Sequence, residues 1–313
     1  MSARPTLLML VPASWEGLWL PHFEKEEINI LVQGRDEYRP EDIDYIFSFR
    51  PPHGMLKAFP KLKTIFSLGA GVDAFLADPE FPKQIPLVRF VDPQLSSEMA
   101  QYVVMQVLRQ HRMQAAFDAM QKQSKWSQMM LPRKTADTRI GILGLGEIGT
   151  MTGERLRDLG FPVFGWSRTR KKVERIKSFA GESEFAQFLG FCDFLICLLP
   201  LTPETRGILN AKTFALLPQG AYVINVARGG HLKEPDLIPA IDSGHLSGAT
   251  LDVFETEPLP ETSPFWQHPK IIVTPHVAAI SDPAVAVQFV VEGIAITERG
   301  EKHPHTVDVT RGY

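Results

Sequence analysis

The chain has 313 residues, 44% hydrophobic and 22% charged, the composition of a globular protein with enough length for two packed cores of ordinary domain size and not that of a small disulfide scaffold. A formal net charge of -3 leaves no electrostatic footprint for nucleic acid or an anionic membrane, and no apolar run reaches the ~20 residues of a membrane span. Two cysteines, Cys192 and Cys197, are too few for a disulfide framework and have no partner at zinc-ligand spacing, so we expect buried reduced thiols, no metal and a reducing, cytoplasmic compartment.

The apolar run at 6–11 is too short to span a membrane, and no small-residue cleavage site follows it cleanly, so it reads as a first strand. Further strand-like runs lie at 28–32, 45–49, 62–68 and 87–91, separated by turn chemistry at Gly34, Pro51-Pro52, Gly69-Ala70-Gly71 and Pro79. Apolar runs alternating with polar, helical segments predict an α/β fold, a parallel sheet covered by helices. A long helix follows. Ser96 or Ser97 is placed to cap it, Glu98 sits in its first turn, and neither Pro nor Gly interrupts it up to about Lys122. We read it as the connector into a second domain and a candidate dimer surface.

The stretch 139–149 organises the second half. Ile140 to Leu143 is the length of one buried strand. Gly144-Leu145-Gly146-Glu147-Ile148-Gly149 then spells G-x-G-x-x-G, and Ile148, Met151, Leu156 and Leu159 fall on one helical face that ends at Gly160. Strand, glycine turn and helix in that order form a dinucleotide fingerprint. Gly144 makes the tight turn, Gly146 lets backbone approach a pyrophosphate at the helix N-terminus beside Glu147 and Ile148, and Gly149 lets helix and strand pack closely.

Later strands are expected at 162–166, 194–199, 221–226, 249–254 and 271–274, and a last helix at 284–298 ends at Gly300. Ligands of such sheets bind beyond the carboxyl ends of the strands. After Trp166 comes Ser167-Arg168-Thr169-Arg170-Lys171-Lys172, where an NAD site would carry an acid for the ribose 2'-hydroxyl. A hydroxyl followed by cations suits a 2'-phosphate instead, so we expect NADPH to be preferred over NADH, with Ser167, Arg168, Thr169 and Lys171 as its contacts. The stiff loop from Leu199 and Pro200 to Thr205 is a candidate wall for the nicotinamide. Ala227 and Arg228 lead into two glycines, which would hold the guanidinium close to backbone, where it can meet a small carboxylate or ketone oxygen. Pro235, a little further on, marks a helix start.

Two more strand ends complete the set. Asp252 and Glu257 follow one, and Thr274-Pro275-His276 follows the next, with Pro275 ending the strand and projecting His276. Of nine histidines, His276 alone stands at the carboxyl end of an expected strand. Hydride delivery to a ketone needs an acid to protonate the oxygen. A histidine supplies that proton near neutral pH where a carboxylate favours its charged form, and Glu257 is the candidate carboxylate.

Together these stretches resemble the D-isomer-specific 2-hydroxyacid dehydrogenases: 141–149, 198–205, 225–229, 248–254 with Glu257-Pro258-Leu259, and Thr274-Pro275-His276. Within that family the chain is most similar to the glyoxylate/hydroxypyruvate reductase A group, through Trp166-Ser167-Arg168-Thr169, the 274–279 stretch and the Arg311-Gly312-Tyr313 ending. The resemblance implies two doubly wound parallel-sheet domains: a flavodoxin-like substrate domain at 1–97 and 281–313, and a Rossmann cofactor domain at 98–280. It also implies a homodimer. Arg228 would bind the substrate's carboxylate and carbonyl, His276 would be the general acid paired with Glu257, and Asp252 would hold the nicotinamide carboxamide. Backbone N–H groups of Ala70 and Gly71 would bind the carboxylate, as a nest does. Trp126 lies where related reductases cap the pocket. One departure stands out: Phe49-Arg50 occupies a place where relatives often carry Trp-His, so Arg50 is a candidate second cation for the substrate. The implied activity is NADPH-dependent reduction of small 2-oxo acids. The alternatives are an NAD(P)-sensing interaction protein on the same fold, and an NAD-linked dehydrogenase working in oxidation.

Overall fold

The computed structural model describes residues 4–24 and 26–309. The 311–313 ending lies outside them. The chain divides into two compact units, Met1–Leu95 with Ser281–Tyr313, and Ser96–Ile280.

The first unit holds β1 (Thr6–Leu10), α1 (Glu16–Phe23), β2 (Asn29–Val32), β3 (Tyr45–Ser48), β4 (Thr64–Ser67), the short α2 (Asp73–Leu76) and β5 (Leu87–Val88). The strands form one parallel sheet in the order β2-β1-β3-β4-β5, a flavodoxin-like arrangement. Strand alternation sorts the side chains. Leu7, Met9, Tyr45 and Phe47 enter one core with Trp19 and Phe23 of α1, whereas Leu8, Leu10, Ile46 and Ile65 enter the opposite core with Leu56 and Phe75. Both faces are therefore buried, which is why β3 and β4 read as unbroken apolar runs rather than as alternation.

The second unit begins inside α3 (Pro93–His111). This helix starts earlier than the serines suggest: the Asp92 carboxylate accepts from the Gln94 N–H at 2.8 Å and Pro93 takes the first helical position. An acid followed by proline satisfies a helix start better than a serine further in. Nor does the helix run unbroken to Lys122. Met113 adopts a left-handed backbone (φ 58°) and separates α3 from α4 (Gln114–Lys122). Val103 and Val107 of α3 are fully buried, while α4 buries none of its residues, so the two segments obey different packing demands.

There follow β6 (Ile140–Leu143), α5 (Glu147–Asp158), β7 (Val163–Ser167), β8 (Lys177–Ala180), α6 (Phe185–Leu189), β9 (Phe194–Cys197), α7 (Ala211–Ala215), β10 (Ala221–Asn225), α8 (Glu234–Asp242), β11 (Leu246–Leu251) and β12 (Ile271–Val273). Seven parallel strands line up as β12-β11-β10-β9-β6-β7-β8, the Rossmann order. The short strand β8 carries Lys177 and Ser178 and has no apolar run to announce it in the sequence. Pro235 lies in the first turn of α8, as its position suggests. The last helix, α9 (Pro283–Glu298), returns to the first unit, where Ala286, Val287, Val290 and Ile294 join the core of α1 and β3. Asp282 caps it, accepting from the Val285 N–H at 3.1 Å. Among the described residues no helix is long and apolar enough to cross a membrane.

Candidate active site

In the second unit the strand order reverses between β6 and β9, and the glycine turn leaves β6 at that point. Gly144 has φ +101°, and a Cβ there would lie 2.8 Å from the Leu198 carbonyl oxygen, so a side chain is refused twice over. At Gly149 a Cβ would lie 1.8 Å from the Gly144 oxygen, which is the close approach of helix to strand. Gly146 behaves differently: a Cβ there would meet nothing within 4 Å. Gly146 is also the N-cap of the twelve-residue α5, and no side chain caps that end. Open space before amide donors at a helix N-terminus fits a pyrophosphate.

Beyond β7 the basic turn is folded back on β8. The Ser167 hydroxyl donates to the Thr169 carbonyl at 2.8 Å, and the Lys171 N–H donates to the Ser178 hydroxyl at 3.1 Å. Arg170 is consumed within the protein: Nη1 donates to the Ser178 carbonyl at 2.6 Å and Nη2 to Glu184, whose other oxygen accepts from the Ala180 N–H at 2.7 Å. The Ala180 N–H and then Arg170 hold the Glu184 carboxyl below its ordinary value. The side chains of Arg168, Thr169 and Lys171 are exposed on this turn, with Ser167 buried beneath them. Glu184 and β8 were invisible as partners of the turn, because they follow it across a polar stretch with no regular pattern.

The loop after β9 is stiffened as its prolines suggest. Leu199 is buried, Pro200 is exposed, and the Thr205 hydroxyl donates to the Pro200 carbonyl at 2.7 Å. After β10, Asn225 is fully buried and its side-chain amide donates to the Arg228 carbonyl at 3.0 Å while its oxygen accepts from the Ala227 N–H. The Arg228 guanidinium in turn donates to the Ala227 carbonyl at 2.8 Å. The strand end thus fixes the backbone that carries the arginine.

His276 and Glu257 are brought together. His276 Nδ1 lies 3.0 Å from Glu257 Oε2, and Glu257 Oε1 accepts from the Phe254 N–H at 3.0 Å. The His276 side chain is 30% exposed and that of Glu257 17%, so the pair sits at a protein–solvent boundary. His276 has φ +56°, an unfavourable backbone for a residue with a Cβ, typically costing about 1–3 kcal/mol. What holds it there is Asp252. This carboxylate is 1% exposed and accepts from the Thr274 hydroxyl at 2.6 Å and from the N–H groups of Val277 and Ala278 at 2.9 Å each. The Asp252 carbonyl accepts from the His276 N–H at 2.8 Å. Asp252 is therefore the anchor of the histidine loop, a role that spacing alone does not reveal. Tyr102 of α3 extends the chain, its hydroxyl 2.6 Å from that of Thr274.

Trp126 stands on the irregular segment after α4 and is 92% exposed, as is Met130. In the first unit, Ser67 organises the turn after β4: its hydroxyl lies 2.9 Å from the Gly69 carbonyl and 3.3 Å from that of Gly71, with Ala70 and Gly71 partly buried. The Arg50 guanidinium stacks over the Phe49 ring, 5.2 Å from its centroid.

Fold and site define a dinucleotide-dependent oxidoreductase: a Rossmann unit with a helix N-terminus for a pyrophosphate, and a histidine–carboxylate pair and an arginine at its strand ends. A family model described as D-isomer specific 2-hydroxyacid dehydrogenase, NAD binding domain, matches residues 104–278. Glyoxylate/hydroxypyruvate reductase A of Serratia proteamaculans (strain 568) is 44% identical over 275 residues, covering 86% of this chain and 88% of its own. Among solved structures, a D-isomer specific 2-hydroxyacid dehydrogenase of Xanthobacter autotrophicus Py2 in complex with NADPH and MES is 40% identical with a TM-score of 0.89, covering 99% of this chain and 100% of its own. The NADPH-dependent glyoxylate/hydroxypyruvate reductase of Sinorhizobium meliloti, in complex with NADP and sulfate, is 38% identical with a TM-score of 0.91 over 99% of this chain and 100% of its own. The chain belongs to the D-isomer specific 2-hydroxyacid dehydrogenase family.

Proposed function

We propose that the protein is an NADP-dependent reductase of small 2-oxo acids, converting glyoxylate to glycolate and hydroxypyruvate to D-glycerate. Three things support NADP use: the acid-free basic turn after β7, the open space at Gly146, and the NADPH- and NADP-bound relatives. Bound NADPH supplies the hydride that reduces the carbonyl carbon. The amides of Gly146, Glu147 and Ile148 take the pyrophosphate, Ser167, Arg168, Thr169 and Lys171 take the 2'-phosphate, and Leu199, Pro200 and Ala227 wall the nicotinamide.

The observation that carries the reading is the His276–Glu257 pair. A carboxylate only accepts, so the proton on Nδ1 is donated to Glu257. The ring is then oriented with Nε2 as the atom that holds and passes a proton. His276 Nε2 protonates the substrate oxygen as the carbonyl becomes an alcohol, and Arg228 binds the carboxylate and polarises the carbonyl. Asp252 keeps His276 in its left-handed backbone, and its Oδ2, which accepts one bond from the protein, is assigned to the nicotinamide carboxamide. Ala70, Gly71 and Arg50 are assigned to the substrate's carboxylate, and Trp126 to capping it. The exposed Trp126, Met130 and Met105 support a homodimer, and two free, buried cysteines fit a cytoplasmic location.

The test is the initial rate of NADPH and NADH oxidation with glyoxylate and with hydroxypyruvate. Turnover with NADPH well above NADH is expected. Replacing His276 by Asn should lower turnover by about two to four powers of ten while NADPH still binds. Binding of NADPH by the wild-type protein without turnover on either acid would overturn the substrate assignment.

A further inference from the structure

His231 is a buried titratable group to which the chemistry above gives no task. It ends the turn after Arg228 and is 0% exposed. Its two ring nitrogens both face backbone carbonyl oxygens: Nδ1 lies 3.1 Å from the Arg228 oxygen and Nε2 lies 3.2 Å from the Pro200 oxygen. A carbonyl oxygen accepts and never donates. A neutral imidazole has one N–H and one lone pair, so it can satisfy only one of these contacts and would set a lone pair against the other oxygen. Both contacts are attractive only when both nitrogens carry protons.

We propose that His231 is held as a doubly protonated positioning residue that ties the loop after β9 to the loop after β10 and so fixes the backbone presenting Arg228. The two tied carbonyls are already hubs. The Pro200 oxygen also accepts from Thr205, and the Arg228 oxygen also accepts from the Asn225 amide. Backbone pairing brackets the ring as well: the Leu209 N–H donates to the His231 carbonyl at 2.9 Å and the Gly207 N–H to that of Gly230 at 2.8 Å. Through these contacts one side chain joins the proposed nicotinamide wall to the proposed substrate arginine, so the inference rests on that reading for its functional part and on geometry alone for its charge state.

A buried cation needs compensation. The two carbonyl oxygens, at 3.1 and 3.2 Å, turn their negative ends to the ring, and Cys197 stands at the nearby end of β9. On the adjoining loops the charged groups are Arg228 itself, Glu204, Arg206 and Lys233. The Arg206 guanidinium borders Gly230 and lies 3.7 Å from Glu255. Burial pushes the imidazole down, but Cys197 and the two carbonyls more than offset it, so His231 sits above its ordinary value.

The test has two readouts. In the wild-type protein saturated with NADPH, with histidine labelled with nitrogen-15, the His231 ring should show both nitrogens protonated at neutral pH and above; substituting the histidines in turn assigns the signal. A single neutral tautomer at neutral pH overturns the proposal. This readout needs no turnover, so it stands apart from any failure of the substrate assignment. In His231→Gln the KM for glyoxylate should rise about tenfold or more, the loss of one charge-assisted hydrogen bond, while the dissociation constant of NADPH changes less than threefold. A folded variant with unchanged KM overturns the positioning role. If H231Q does not fold, the protonation state in the wild type still decides.

Discussion

Replacing Asp252 by Asn tests what holds His276, the proposed general acid, in place. The substitution keeps shape and volume, and the amide oxygen can still accept from the Thr274 hydroxyl and the Val277 N–H. The new NH2 must then face the Ala278 N–H, now 2.9 Å from Oδ2. One buried donor is left unsatisfied, at about 1–3 kcal/mol, and two charge-assisted bonds become neutral ones, at about 1 kcal/mol each. The sum is about 3–5 kcal/mol, a large share of the roughly 5–15 kcal/mol that typically holds a domain folded. For a domain of this size each kcal/mol moves the midpoint by about 2–4 °C, so Tm should fall by about 6–20 °C in differential scanning calorimetry. The lost stability also releases the left-handed backbone at His276. The kcat should therefore drop well beyond any change in NADPH affinity, measured by fluorescence titration of the folded variant. If Tm moves by less than about 2 °C and kcat is intact, the carboxylate is not the anchor, and the reasoning from its three donors fails.

Other outcomes follow from the same geometry. Arg168→Ala should weaken NADPH by about ten- to a hundredfold and leave NADH almost unchanged, because a charge-assisted bond to phosphate is worth about 1.5–3 kcal/mol. Arg170→Ala should weaken NADPH by about threefold at most, since Arg170 is bound to Ser178 and Glu184; titration of both nucleotides on both variants checks the pair. Glu257→Gln should lower kcat by about tenfold or more with little effect on the KM for NADPH, and an unchanged kcat would detach Glu257 from His276. Burial pushes the Asp193 carboxyl up, but Arg139 and Arg133 more than offset this and hold it below its ordinary value. A depressed folded value means that Asp193 stabilises the protein above about pH 4 and that this contribution is lost as pH falls through the folded value. Asp193→Asn should therefore lower Tm at neutral pH, by an amount that shrinks steadily as pH falls below about 4, as thermal scans at descending pH would show.

Much of the fold was legible because the two periodic signals are strong. Parallel strands buried on both faces, such as β4 and β9, leave runs of apolar residues that nothing else in the chain imitates. Legibility failed where tertiary contacts overrode local pattern. The break at Met113 has no Pro or Gly to mark it; it follows from the change between a helix packed on Val103 and Val107 and one with no buried residue. The start of α3 was misplaced because three capping residues compete within a few positions, and Asp92 before Pro93 wins by placing its oxygen on the Gln94 N–H.

The site divides along the same line. Ligands of such sheets bind beyond the strand ends, and the residues that follow the strands point to Arg228, Asp252 and His276 as candidates. A strand end says which residue type is presented but not what each polar atom is used for. Asp252, marked out for a cofactor amide, uses three of its acceptor positions to hold the loop of His276. Arg170, one cation in a run of four, is committed to Glu184, fourteen residues on, and only a fold that places β8 beside β7 can show it. His231 stands three positions after Arg228, and a histidine after two glycines looks like any turn residue. Its meaning comes from the Pro200 carbonyl, thirty-one positions earlier, which the parallel pairing of β9 with β10 brings within reach. Candidate ligand contacts stand at positions the topology exposes, and those are readable one at a time. Residues that position them work through pairs distant in sequence, and each pair becomes visible only when the strands carrying it are paired in space.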